Sequence, residues 1–199
     1  MYPNYVTSEA VKASEMLYFD QSYADEYARN ATLFPFTRNA VGAMDFAPVF
    51  FNKMLSKNGK SGTVRRTTDT FEVATAVLFV SPVQHFGITP NSLNEQPDYV
   101  LNFIRKVPTV WDETLYISGE PAKHCAIARR KENKWYVAVV NGEKINKKIK
   151  LDLPMLVNKE VSLIYDNQNR TAGFKKIKVD KKGTLTIEML PEGGAVIFE

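Results

Sequence analysis

From Trp111 onward the chain alternates apolar and polar positions with a period of two. The segments TLYISG, HCAIARR, KWYVAVVNG, KKIKLDL, EVSLIYD, FKKIKV, TLTIEML and GAVIFE are short and separated by turn residues. Asn141-Gly142 and Lys182-Gly183 mark tight turns between them. Eight strands in about 85 residues predict a small antiparallel β-sandwich over 113–199.

Residues 1–112 read differently. Thr7 and Ser8 are suitable N-caps for a helix through AVKASEMLYF, and a second helical stretch follows near SYADEYARNA. Leu33 to Thr37, in LFPFTRN, reads as a short buried strand with a polar tip. Segment 43–66 is loop-like, with Pro48, Gly59, Gly62 and the basic pair Arg65 and Arg66. TTDTFEVATAVLFVSP then has the wide apolar face of a packed helix, with Asp69 and Glu72 at capping-box spacing and Pro82 as its stop. VQHFGI reads as another short strand, and Pro97 and Pro108 bracket the helix PDYVLNFIRKV. The pattern predicts α/β architecture followed by an all-β part, with the boundary near residue 112. Two or three strands cannot close a parallel barrel, so 1–112 reads either as a smaller α/β arrangement or as the end of a larger one.

Composition narrows the function classes. The 199 residues are 44% hydrophobic and 12% aromatic, enough for packed cores. No apolar run approaches the roughly 20 residues of a membrane span, and the opening segment lacks the basic and apolar regions of a signal peptide. The net charge is +4, and all of the excess lies in the C-terminal part, where lysines alternate with Ile, Leu and Val. That is the solvated face of strands; a nucleic-acid surface would interleave arginines with exposed aromatics. Cys125 is the only cysteine, and its alternating context favours a buried structural thiol over a reactive one.

Four stretches, in order, carry a resemblance. YPNYVTSEAVKASE, FPFTRNAVGAMDFAP, WDETLYISGEPAKHCAIARRKENKWYVAVVNG and the closing EGGAVIFE resemble motifs of glycoside hydrolase family 97, and the match runs from Tyr2 to Glu199. Members are α-glucosidases and α-galactosidases, mainly of Bacteroidetes, with an N-terminal β-sandwich, a catalytic (β/α)8 barrel and a C-terminal β-sandwich. The resemblance implies that 1–112 is the C-terminal portion of the barrel and 113–199 the C-terminal sandwich. The N-terminal sandwich and most barrel strands of the same enzyme would be the missing partners. It implies an oligosaccharide substrate with α-linked glucose or galactose, no nucleic-acid or membrane-spanning role, and a periplasmic location. By motif position Glu15 corresponds to the general acid, and Glu9 and Glu15 to ligands of Ca2+. The sequence departs from the family where Arg and Gly are usual, around Lys12 and Ala13–Ser14, and Ala43 stands where proline is usual.

Glycoside hydrolysis needs two carboxyl groups across the scissile bond, one of which stays protonated near neutral pH. Met16, Leu17, Tyr18 and Phe19 give Glu15 apolar neighbours suited to that role. Its catalytic partner is not Glu9, and would lie upstream of Met1, so the chain by itself is expected to be inactive. Six residues at about 100° each put Glu9 and Glu15 about 120° apart on one regular helix, so sharing a calcium requires a bend. Two glutamates are also few for an ion that takes about six to eight oxygens. Arg38 and Asp45 either line a sugar pocket or form a structural ion pair. His85 reads as a core histidine, His124 lacks companions for zinc, and Trp111 and Trp135 read as core rather than sugar platforms. The alternative function is a non-catalytic carbohydrate-binding or structural module.

Overall fold

The computed structural model describes residues 7–9, 11–55 and 61–199. The helical part comprises α1 (Gln21–Ala31), a helical turn α2 (Arg38–Val41), α3 (Asp69–Leu78), α4 (Pro90–Glu95) and α5 (Asp98–Lys106). Two 3-10 turns, Ser14–Tyr18 and Phe34–Phe36, and a two-residue antiparallel pair, β1 (Met54–Leu55) with β2 (Thr63–Val64), complete it.

The eight strands expected after Trp111 are all present. They are β3 (Glu113–Glu120), β4 (His124–Lys131), β5 (Lys134–Asn141), β6 (Lys147–Asp152), β7 (Glu160–Asp166), β8 (Ala172–Lys178), β9 (Thr184–Met189) and β10 (Gly194–Phe198). Six form an antiparallel sheet in the order β3-β4-β5-β10-β7-β8, and β6 pairs with β9 in a second sheet. Strand alternation divides the side chains between two cores. Ala126, Ala128, Val137, Val139, Leu163, Ala195 and Ile197 face Ile149, Leu151, Ile187 and Met189 of the small sheet. The intervening residues Cys125, Ile127, Ala138, Val140, Ile164 and Val196 join the core of the helical part. The central sheet is therefore covered on both faces. This is why β5, WYVAVV, reads as a continuous apolar run although its neighbours are antiparallel.

α3 is the helix seated on that sheet, and all ten of its residues are buried. Its N-cap is Thr68, whose hydroxyl accepts from the Phe71 amide at 3.0 Å, so the expected capping box of Asp69 and Glu72 is replaced by a cap one residue earlier. Glu72 turns inward, accepts from the Phe50 amide at 3.0 Å and from the Thr67 hydroxyl, and meets the Tyr27 hydroxyl. Gly194 of β10 lies flush on the helix: a Cβ there would stand 2.9 Å from the Phe71 Cα.

Three expectations for the helical part change. Residues 33–37 form a 3-10 turn because Pro35 fixes a helical φ at its start and offers no strand hydrogen bond. VQHFGI forms no regular element; Gly87 instead presses on the Phe50 ring and donates to the Pro48 carbonyl. The expected helix from Thr7 to Phe19 is reduced to the Ser14–Tyr18 turn, preceded by extended Ala13. Ala10, Gly59 and the motif residues Tyr2, Pro3 and Asn4 lie outside the described residues. Among the described residues the helical part has no parallel sheet, and no helix is long and apolar enough to cross a membrane.

Candidate active site

Three extended segments lie side by side in chain order. Ser8 makes a parallel bridge with Met44, and its carbonyl accepts from the Asp45 amide at 2.8 Å. The Met44 amide in turn donates to the Val80 carbonyl at 3.0 Å. Asn39 braces the third segment: its Oδ1 accepts from the Val80 amide at 2.8 Å and its Nδ2 donates to the Val80 carbonyl at 3.2 Å. α1 lies between the first and second segments in sequence, and α3 between the second and third.

Acidic residues follow two of the three segments. Glu9 comes directly after Ser8 and Asp45 directly after Met44, and both are exposed. Glu15 sits in the 3-10 turn, where its neighbours Ser14 and Leu17 are buried and Ser14 Oγ donates to the Ala47 carbonyl. The bend at extended Ala13 removes the 120° separation of one regular helix, and the Glu15 carboxyl feels that of Glu9. Glu15 is held above the usual carboxylate range. Desolvation is the largest cause, opposed by a backbone hydrogen bond and reinforced by Glu9 and by the charge of Asp45.

Arg38 is the hub of this end. Nε donates to the Glu9 carbonyl at 3.1 Å and Nη1 to the Gly42 carbonyl at 3.2 Å. Nη2 reaches the Ser8 carbonyl at 2.7 Å, Ser8 Oγ at 2.6 Å and the Ala43 carbonyl at 2.8 Å. Of the two sequence readings for Arg38 and Asp45, neither a sugar contact nor an ion pair describes these bonds, because every acceptor of Arg38 is a backbone carbonyl or a serine hydroxyl. Ser8, which the sequence offered only as an N-cap, and Asn39, hinted at by the polar ending of FTRN, carry much of the geometry.

The donor type fits calcium, since Glu9 and Glu15 present adjacent oxygens, but the number is small. Among the described residues no group of three or more His, Cys, Asp or Glu is arranged to hold a metal ion. The other sequence candidates lie elsewhere. His85 is exposed rather than in the core. His124 is lowered by burial and then by Lys147, and neighbours Ser118. Cys125 is fully buried and its thiol is pushed up to about 12 by desolvation, so it stays unreactive. Trp111 packs edge-on against Tyr136, and Trp135 is buried beneath Arg130.

Residues 110–198 match the family model described as glycosyl-hydrolase 97 C-terminal, oligomerisation. Residues 110–198 are thus a C-terminal domain of the glycoside hydrolase family 97 type. The whole chain superposes on the crystal structure of a β-arabinopyranosidase with a TM-score of 0.96 and 45% identity, covering 100% of this chain and 32% of that one. It also superposes on a family 97 enzyme of Pseudoalteromonas sp. strain K8 in complex with acarbose, with a TM-score of 0.81 and 25% identity, again over 100% and 32%. A retaining α-galactosidase of Bacteroides thetaiotaomicron is 27% identical over 203 residues, 97% of this chain. The chain spans 30% of that relative's length.

Proposed function

We propose that residues 1–112 are the last β/α units of a (β/α)8 catalytic barrel, that 113–199 are its C-terminal sandwich, and that Glu15 is the general acid of a glycosidase. The observation that carries this reading is the row of extended segments at Ser8, Met44 and Val80, with helices between them and acidic residues just beyond two of them. Parallel strands joined by helices, with chemistry at their C-terminal ends, are the arrangement of such barrels.

Glu15, held protonated to higher pH than an ordinary carboxyl, gives its proton to the leaving oxygen as the glycosidic bond breaks. The partner carboxylate comes from a barrel segment outside this chain. The name of the Bacteroides relative favours retention, for which the two carboxyls stand about 5–5.5 Å apart and the partner attacks the anomeric carbon. Glu15 then takes a proton from the water that releases the sugar. Glu9 and Glu15 would contribute oxygens to a bound Ca2+, which would supply positive charge beside the carboxylates. The sandwich serves self-association, in keeping with the description of its family model.

Between α-glucosides and α-galactosides we favour the second. Two of the relatives are named as an α-galactosidase and a β-arabinopyranosidase. β-L-Arabinopyranose has the ring configuration of α-D-galactopyranose at every carbon and lacks only the hydroxymethyl group, so one pocket shape suits both. The test compares Glu15→Gln with the parent in the complete enzyme on two α-galactosides, one with a 4-nitrophenolate leaving group and one with an unactivated sugar. The variant loses far more rate on the unactivated substrate, since nitrophenolate needs little protonation. Equal losses on both would refute the general-acid role.

A further inference from the structure

The five hydrogen bonds of Arg38 join two pieces of chain that no regular element connects. One is Ser8–Glu9, the other Gly42–Ala43, and the side chains that follow them are Glu9 and Asp45. We infer that Arg38 is a positioning residue for the acidic cluster: its guanidinium welds the first two extended segments at their tips and so fixes where Glu9, Glu15 and Asp45 stand. The inference rests on the reading of Glu15 as the acid.

Three features point to this role. First, the Ser8–Met44 contact is an isolated bridge, with the Asp45 N–H donating to the Ser8 carbonyl, and among the described residues Arg38 adds five side-chain bonds across the same tips. Second, Arg38 comes from α2, a helical turn of four residues with no buried side chain, so packing does little to hold this end. Third, the acceptors diverge: Nε and Nη2 face one segment while Nη1 and Nη2 face the other. A planar guanidinium with five donors spans such a set, whereas an ammonium on a flexible stem does not. Lysine at this position would keep the charge and lose the weld.

The Ser14 hydroxyl, beside Glu15, donates to the Ala47 carbonyl two residues past Asp45, and this is the route by which a shift of the second segment reaches the acid. A displacement of about 1 Å in a catalytic group costs about 100-fold in rate.

The experiment uses the complete enzyme with an unactivated α-galactoside, whose leaving sugar needs protonation and on which kcat is read, and with 4-nitrophenyl α-D-galactopyranoside for comparison. Arg38→Lys, Arg38→Ala and Glu15→Gln are compared, each with a thermal melt. The expected result for Arg38→Lys is a fall in kcat of about 100-fold, with KM within about threefold of the parent and a melting temperature close to it. Arg38→Ala is expected to regain about tenfold in kcat when guanidinium is added at millimolar concentration, a response that lost packing would not give. Full kcat in Arg38→Lys beside an impaired Glu15→Gln would overturn the positioning role and leave the acid assignment standing. So would a loss of activity that tracks unfolding and is not rescued. Full activity of Glu15→Gln on both activated and unactivated substrates would instead remove the acid assignment, and this inference with it.

Discussion

Asp166 sits at the seam between the helical part and the sheet. Its carboxylate accepts from the Thr68 hydroxyl at 2.6 Å, from the Leu190 amide at 3.0 Å and from the Gly194 amide at 3.0 Å. One side chain thus ties the N-cap of α3 to the turn between β9 and β10. Burial nevertheless wins over these bonds and the nearby Arg170, and pushes the carboxyl up from 3.8 to about 6. A carboxyl whose folded value is raised stabilises the fold fully below its unfolded value and loses that contribution as pH rises through the folded value. Asp166 therefore makes the protein less stable at pH 7 than at pH 4, by on the order of 3 kcal/mol before relaxation. Denaturant melts of the parent and Asp166→Asn across that range check this: the parent should gain on the variant as pH falls from 7 to 4. A constant difference would contradict it. Gly194 beside it admits no Cβ, with the Phe71 Cα 2.9 Å from where one would stand. Gly194→Ala is expected to cost roughly 1–3 kcal/mol in the same melts by pushing α3 off the sheet.

At the scale of elements, α3 is held at both ends. Thr68 and Asp166 secure its start, and Arg129 of β4 secures its end, with Nε donating to the Val77 carbonyl at 2.6 Å and Nη2 to the Leu78 carbonyl at 2.9 Å. Nη1 also reaches Thr114 Oγ1 at 2.7 Å. Arg129 is only 3% exposed, and burial lowers its guanidinium to about 10. Arg129→Met would strand two helix-end carbonyls and is expected to cost roughly 2–4 kcal/mol in stability, read as a lower unfolding midpoint.

The sandwich strands were legible in the sequence because short runs between turn residues, most of them alternating, recur along the whole segment; the twice-covered β5 is a continuous apolar run. The helical part was less so. LFPF and VQHFGI are short apolar runs, for which periodicity does not separate strand from turn, and Pro35 and Gly87 decided against strand. The site followed the same division. Glu9 and Glu15 came from the motif pattern, while their approach to each other came from extended Ala13, which helical spacing does not reveal. Arg129 was not singled out in the sequence, because its burial is set by a helix 52 residues earlier.

At the scale of the whole molecule, the central sheet buries one face on β6 and β9 and the other on the helices. Removing residues 1–112 would expose Ile127, Ala138, Val140, Ile164 and Val196 as one apolar surface. The isolated piece 113–199 is accordingly expected to aggregate or melt far below the intact chain, which light scattering and a thermal scan would show; a monomer of undiminished stability would contradict the shared core. The helical part leaves Glu9, Glu15 and Asp45 exposed, together with Tyr18, Phe19 and Val41, which the barrel segments proposed outside this chain would cover.

That placement is tested most directly by assaying the 199-residue chain itself. It would be given an unactivated α-D-galactoside, the matching α-D-glucoside and a β-L-arabinopyranoside with calcium present, alongside Glu15→Gln. The account predicts no turnover by the chain above the Glu15→Gln background. Turnover that Glu15→Gln abolishes would mean that the chain contains both catalytic carboxyls, and would contradict it.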